Sequence, residues 1–559
     1  MMEHEPDPGA LIERFYECAC RGLPLDLSSD DQTHNQSVFG ATWLEDRTIP
    51  AAVIVEVATR AREPGTSVRT LHVRGARIIG SLDLMRMILA CPLMLDGCSL
   101  EGPLMLRGCE LASLHLAGCT LNEELDGREM TIRTSVELNQ GFVALDRVSL
   151  DAAKVGTWLD CTGGHFHGRD GIALSANDIR VAGDVLCGGA RSDFDARRLA
   201  VPDSQQTITF VAFGEVRFAW GQVGGQLYFS GGQLRNPKKM ALFADSIKVN
   251  GRLAFGPDTV IEGQICLRRA EVGGQLRFEG EATEPSHAET GTSDGPGVSL
   301  HLEAANINRA LAIKPKPPAE GIINLINATV GYLKDDEASW TDKCYALYGL
   351  RFGQLGGPRE QNKDGSWREE RASGTSWGRD NAMLARRAWL RGDRDGYHAQ
   401  LYDQLAENYA RIGHEASRRS ILISKQWDRR KSLSIRNNWL NAAPWIFNLA
   451  SWALIGYGYR PHRALYWFVA LFGLSFGYFH YRGHQAVKPH EPLLHNPHFS
   501  PAIYTLDLLL PVINLGQREY WIAKPGIPQD LSTILIIAGW LLATVFLAGV
   551  SGLVRRYNE

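Results

Sequence analysis

VGGQLYF, residues 223–229, comes back as VNGRLAF at 249–255 and as VGGQLRF at 272–278. The shared skeleton is an aliphatic residue, a glycine close behind, and then a Leu and a Phe two residues apart. Variants extend it in both directions: IIGSLDL at 78–84, VGTWLD at 155–160, VAGDVL at 181–186 and IEGQICL at 261–267. Between them PLMLDG, PLMLRG and SLHLAG bring Leu93, Leu104 and Leu114 forward by 11 and then 10 residues, so the unit is a half-coil of 10 to 12 residues. Alternation of period two suits a short strand with one buried face. The glycine suits either a positive φ or a close backbone approach. Strands this short bury their inward face only by stacking on the next coil, which predicts a β-solenoid over residues 70–355.

Cys98, Cys109 and Cys119 recur with the same spacing. Small hydrophobes fill the inward positions of stacked coils, and a free cysteine behaves as one, so this column reads as core rather than as a metal site. GCSLEG, GCELAS and GCTLNE resemble pentapeptide-repeat proteins, in which a small residue and a Leu alternate inward. Solenoid ends expose unpaired strand edges. RTIPAAVIVEVATRARE, 47–63, has helical periodicity just ahead of the first coil and is expected to cap it, within an N-terminal helical region 1–69. The polar stretch 279–297 reads as a loop, and 356–380 as a flexible linker. Residues 381–436 place apolar side chains such as Leu401, Leu405, Tyr409 and Ile412 at helical spacing, which predicts a helical connector.

The average composition looks soluble, at 44% hydrophobic, 22% charged and net charge −3, but nearly all the long apolar runs fall in the last 120 residues. Ala464–Tyr481 and Leu531–Val554 are long and apolar enough to span a bilayer, giving a two-span membrane domain over 463–559. The aromatic segment 437–462 reads as interfacial rather than as a third span. Lys425, Arg429, Arg430, Lys431, Arg436, Arg460 and Arg463 flank the first span, where anionic lipid is the natural partner. Positive-inside bias, with no signal peptide at the start, puts the N-terminal domain and the C-terminus in the cytoplasm and 482–530 outside.

FSPAIYTLDLLLPVINLGQ, 499–517, lies between the spans. Its apolar core reaches only about 21 Å as a helix, against a bilayer core of about 30 Å. A short helix at 502–516 either dips into the bilayer or packs on the outer side. Two spans with a re-entrant helix between them resemble pore-loop channels. The chain continues INLGQREYW where such a channel would carry its TVGYG filter; the GYGY at 456–459 stands on the inner side. Asp507, Tyr504, Asn514 and Gln517 would form the site at membrane depth. A dipping loop further implies a homo-oligomer around it.

The order RTIPAAVIVEVATRA, LHVRGARIIGSLDL, the VGGQL coils, YDQLAENYARIGHEASRRSILISKQ, GYGYRPHRAL, YTLDLLLPVINLGQ and GLVRR resembles bacterial membrane proteins labelled membrane-associated oxidoreductase. That resemblance implies a bacterial inner-membrane protein with redox chemistry. The residues themselves offer no GxGxxG between a strand and a helix, no CxxC and no CxxCH, so no cofactor is expected. HFHGRD, 165–170, offers His165, His167 and Asp170, which read as an exposed turn without a partner ligand. Charges along the coils are interspersed, which argues against nucleic acid. The sequence therefore points first to a membrane-anchored solenoid scaffold or sensor presenting a surface to a protein partner. An oligomeric channel stands second and an oxidoreductase third.

Overall fold

The computed structural model describes residues 8–29, 35–63, 65–189, 209–279, 281–283, 298–313, 322–335, 345–356, 359–361, 367–369, 386–432, 453, 462–490, 498–510 and 512–557. They fall into two units, Met1–Gln404 and Leu405–Glu559.

The first unit is mainly a β-solenoid over residues 71–355. Its strands stack in parallel into one sheet of 20 strands and another of 17. Register explains the repeated phrase. Leu71, Leu93, Leu114, Val136, Leu159, Val185, Leu227, Leu253 and Leu276 are consecutive partners down one column of the first sheet. A second column in the same sheet runs Leu111, Ile132, Val155, Val181, Val223, Val249 and Val272. Every residue in both is buried. A fully buried Leu or Val side chain contributes about 1.5–3 kcal/mol, so each added coil gains from both columns. The Phe of the phrase forms a third stack: Phe229 lies 5.2 Å from Phe255 with rings 3° apart, and Phe255 lies 5.7 Å from Phe278.

Gly224 and Gly251 of the phrase serve close approach, not positive φ, whereas Gly80 and Gly263 of the variants stand at φ of 86° and 129°. A Cβ on Gly224 would strike the carbonyl of Ala182 in the coil before, and one on Gly251 would lie 2.5 Å from the carbonyl oxygen of Gly225. Neither has a positive φ; the left-handed corners beside them are held by Asp178, Trp220, Ser246 and Arg269, at φ of 51°, 57°, 58° and 52°.

At the N-terminal end, Leu25–Asp26 pairs with Val73–Arg74 and Thr48–Pro50 pairs with Arg77–Ile79, so both sheets receive a covering strand. Helix α1 (Pro8–Arg21) packs against α2 (Ala51–Arg60), which buries Val53, Ile54 and Val57 over the first coil. At the other end the side-chain amide of Gln404, in α3 (Ala399–Arg411), donates to the carbonyl of Leu350 at 3.1 Å and accepts from the N–H of Phe352 at 3.2 Å. The amide thus imitates the next strand. Buried Asp393 accepts the N–H of Leu347 nearby, at 3.3 Å. Most of the polar loop 279–297 lies outside the described residues, as does most of the linker 356–380, although Arg359–Gln361 pairs antiparallel with Trp367–Glu369.

In the second unit, α4 (Glu415–Ser432) precedes α5 (His462–Arg482), α6 (Pro501–Leu509), the single turn α7 (Gln517–Tyr520) and α8 (Ile527–Tyr557). Among the described residues one helix is long and apolar enough to cross a membrane, through Ile527–Thr544 at a mean hydropathy of 1.4. The expected first span is helical and 21 residues long, but Tyr466, Trp467, Ser475, Tyr478, His480 and Tyr481 dilute its hydropathy below that level. The loop helix ends at Leu509, before Pro511, and is shorter than the 502–516 expected. It packs between α5 and α8 around Phe479, Phe499, Tyr504, Leu508, Trp521 and Leu535. A strand pair, Val487–Pro489 with Trp521–Ala523, closes the cluster.

Candidate functional site

The four residues expected at membrane depth sit close together in chain and fold, and their polar groups are engaged within the unit. Asp507 is 2% exposed. One carboxylate oxygen accepts the N–H of Leu515 at 3.0 Å and the other that of Arg518 at 2.8 Å. Tyr504 is buried, 5.1 Å from the ring of Phe479 and 5.6 Å from that of Phe499. The Asn514 amide donates to Glu519 at 2.6 Å and its oxygen accepts the N–H of Gly516. Gln517 accepts from Ser500 N at 3.3 Å, tying the start of α6 to the turn that follows it. Chemically this is a clamp: the cost of burying the carboxylate is offset by the two backbone N–H groups of the turn it folds.

Of the basic cluster, Lys425, Arg429 and Lys431 lie on α4, and Arg463 opens α5. Arg436 and Arg460 lie outside the described residues, as does the side chain of Arg430 and nearly all of the interfacial segment 437–462.

The other chemistry-bearing residues are absorbed by the solenoid. Cys98, Cys109 and Cys119 are fully buried; the N–H of Cys98 points at the sulfur of Cys119, 3.4 Å away. Burial pushes the Cys109 thiol up to about 12 and the Cys119 thiol up as well, the opposite of an activated nucleophile. His167 stacks on Phe213 at 4.7 Å, burial lowers the pKa of both His165 and His167, and Asp170 pairs with Arg147 at 3.0 Å. Among the described residues no three His, Cys, Asp or Glu side chains gather as a metal site.

One feature of the surface emerges only from register. Thr131, Lys154, Arg180, Gln222 and Lys248 are successive partners on the first sheet, each immediately before a buried aliphatic of the second column. Their side chains edge an open groove of about 560 Å³ whose floor is Gly156, Ala182 and Gly224. Arg133 and Asn250 complete the polar lining. Four cations line the groove, with no carboxylate among its lining residues. Gly156 and Gly224 lie hard against the coil before them, where a Cβ would strike the carbonyls of Arg133 and Ala182. Arg180 has Asp178 at 4.0 Å and Lys248 has Glu271 at 3.1 Å, both outside the lining, while Lys154 and Arg133 make no ion pair among the described residues. The row is bounded by Glu110 beyond Thr131 and by Glu271 beyond Lys248, so its uncompensated positive charge is that of Lys154 and Arg133.

No family model, curated protein or solved structure matches this chain. The resemblance to proteins labelled membrane-associated oxidoreductase, and that to pentapeptide-repeat proteins, therefore rest on the quoted motifs alone.

Proposed function

We propose that this protein is a membrane-anchored scaffold or sensor whose β-solenoid presents a binding surface on the cytoplasmic side of a bacterial inner membrane. The observation that carries the reading is the apolar exterior of the second unit. Leu465, Val469 and Leu474 on α5, with Ile534, Ile537, Trp540, Leu541 and Leu547 on α8, are all large, apolar and exposed. Only 22% of the apolar window in α8 is buried in the structure. An exposed apolar surface of that extent needs lipid or protein to cover it. In this reading α5 and α8 form a hairpin with α6 packed between them. Lys425, Arg429 and Lys431 meet anionic headgroups, and copies of the chain associate through the membrane. A scaffold suits the solenoid because its inner thiols Cys98, Cys109 and Cys119 are buried in the stack and its outer face is a regular array of side chains.

Carbonate extraction of membranes from cells expressing the full chain tests the anchoring. The protein is expected to stay in the pellet at high pH, and release into the supernatant would sink the reading.

A further inference from the structure

We propose that the groove edged by Lys154, Arg180 and Lys248 binds an extended acidic segment of a partner protein; this rests on the scaffold reading and names what the scaffold holds. Rungs of a parallel sheet repeat at about 4.8 Å, so the row from Thr131 to Lys248 spans about 19 Å, the length of about six extended residues. Four cations line that distance; Arg180 and Lys248 have Asp178 and Glu271 beside them, while Lys154 and Arg133 make no ion pair among the described residues. Gln222 and Asn250 supply amide donors and acceptors for a peptide backbone.

The recognition is by side chains. The strand that carries Lys154 is already paired on both sides, with those of Thr131 and Arg180, so no edge is open for strand addition. Single-stranded nucleic acid is disfavoured by the lining itself, which contains no aromatic ring on which a base could stack. A bilayer is disfavoured because the buried aliphatics and glycines form a recessed floor, whereas a headgroup layer meets a protruding patch. The partner is thus a linear chain bearing carboxylates at close intervals, held with modest sequence specificity and strong dependence on salt.

The test uses the full-length protein in detergent and a fluorescein-labelled poly-glutamate peptide, read by anisotropy. Binding is expected and should weaken as salt rises. The pair Lys154→Glu and Arg180→Glu should lose about tenfold or more in affinity, equivalent to about 1.4 kcal/mol, with the neutral pair Lys154→Gln and Arg180→Gln intermediate. Lys238→Glu with Lys239→Glu, exposed on the other sheet, should change it by less than about twofold. No binding by the wild type overturns the proposal, as does an equal loss in both charge-reversal pairs. Preferential capture of single-stranded DNA or of phosphatidylglycerol vesicles, abolished by the same two reversals, overturns the choice of occupant. Carbonate extraction of the same variants keeps the two ideas apart. Loss of peptide binding with the protein still in the pellet bears on the groove alone, and release from the pellet bears on the anchor.

Discussion

The carboxylate of Asp507 reaches eleven residues along the chain to accept the backbone N–H of Arg518 at 2.8 Å. With its second oxygen on Leu515 N, it fixes the turn that returns the chain from α6 to α7. Removing it takes the acceptor from two backbone donors in a part-buried turn. Asp507→Ala is expected to lower the stability of the second unit by about 1–3 kcal/mol, and Asp507→Asn, which keeps one acceptor, by less. Thermal melting of the detergent-solubilised protein reads this. Equal melting of Asp507→Ala and wild type would show that the turn holds without its clamp.

Helix α8 crosses the end of α6 at a point where only glycine fits. A Cβ on Gly539 would land on the carbonyl of Leu509 and lie 2.9 Å from its carbon. Ordinarily Gly→Ala inside a helix gains about 1 kcal/mol. Here the backbone contact should outweigh that gain, so Gly539→Ala is expected to melt lower than wild type and Gly539→Leu lower still. A higher melting temperature for the alanine variant would refute the close crossing.

The buried thiols give a pH signature. In the fold Cys109 stays protonated up to about 12, while in the unfolded chain it ionises near the ordinary thiol value of 9.0. An acid whose folded pKa is raised contributes its full stability below the unfolded value. That contribution falls as pH climbs from there toward the folded one. Stability should therefore drop between about pH 9 and 12, and less so in Cys109→Ala. Iodoacetamide at neutral pH should modify Cys18 and Cys20, which are partly exposed, before Cys98, Cys109 and Cys119. Early labelling of the inner column, seen by mass spectrometry, would contradict the packing.

Gln404 closes the last coil through two hydrogen bonds, each worth about 1 kcal/mol net. Gln404→Leu should loosen the terminal rungs, and hydrogen exchange should speed up at the amide of Phe352 while that of Val223, in the middle of the stack, stays protected. Gln404→Glu sets a carboxylate against the Leu350 carbonyl and is expected to loosen the end at least as much. Unchanged exchange at Phe352 in both would mean that other contacts hold the end.

The solenoid was legible because its determinant is local: an inward Leu or Val recurs from coil to coil, joined by a glycine and a Phe over 223–278, whatever lies between. The role of the glycine was legible only as two options, and the choice between them depended on which carbonyl of the neighbouring coil lay beneath Gly224 or Gly251. The cation row was illegible for the same reason on a larger scale. Lys154, Arg180 and Lys248 are scattered in a chain of interspersed charge, and only the register, in which the number of residues per coil differs, brings them into line. Asp507 was singled out by its cost in an apolar segment, but the N–H groups that offset that cost come from a turn with no signature beyond Gly516, whose φ is +83°. The aromatic and histidine content of α5 is visible in the chain, yet what it faces depends on how α6 packs against it.

The closure of the solenoid at both ends has a consequence for assembly. A stack of parallel rungs is indifferent to whether the next rung belongs to the same molecule, so an open terminus would recruit a second chain and then a third, and the product would be a filament. Leu25–Asp26 and Thr48–Pro50 occupy the sites for a preceding rung, and the Gln404 amide occupies two hydrogen-bonding sites for a following one. The molecule thereby carries its own stop signals and fixes its own length, and whatever lies along its side meets a ruler with a set number of marks.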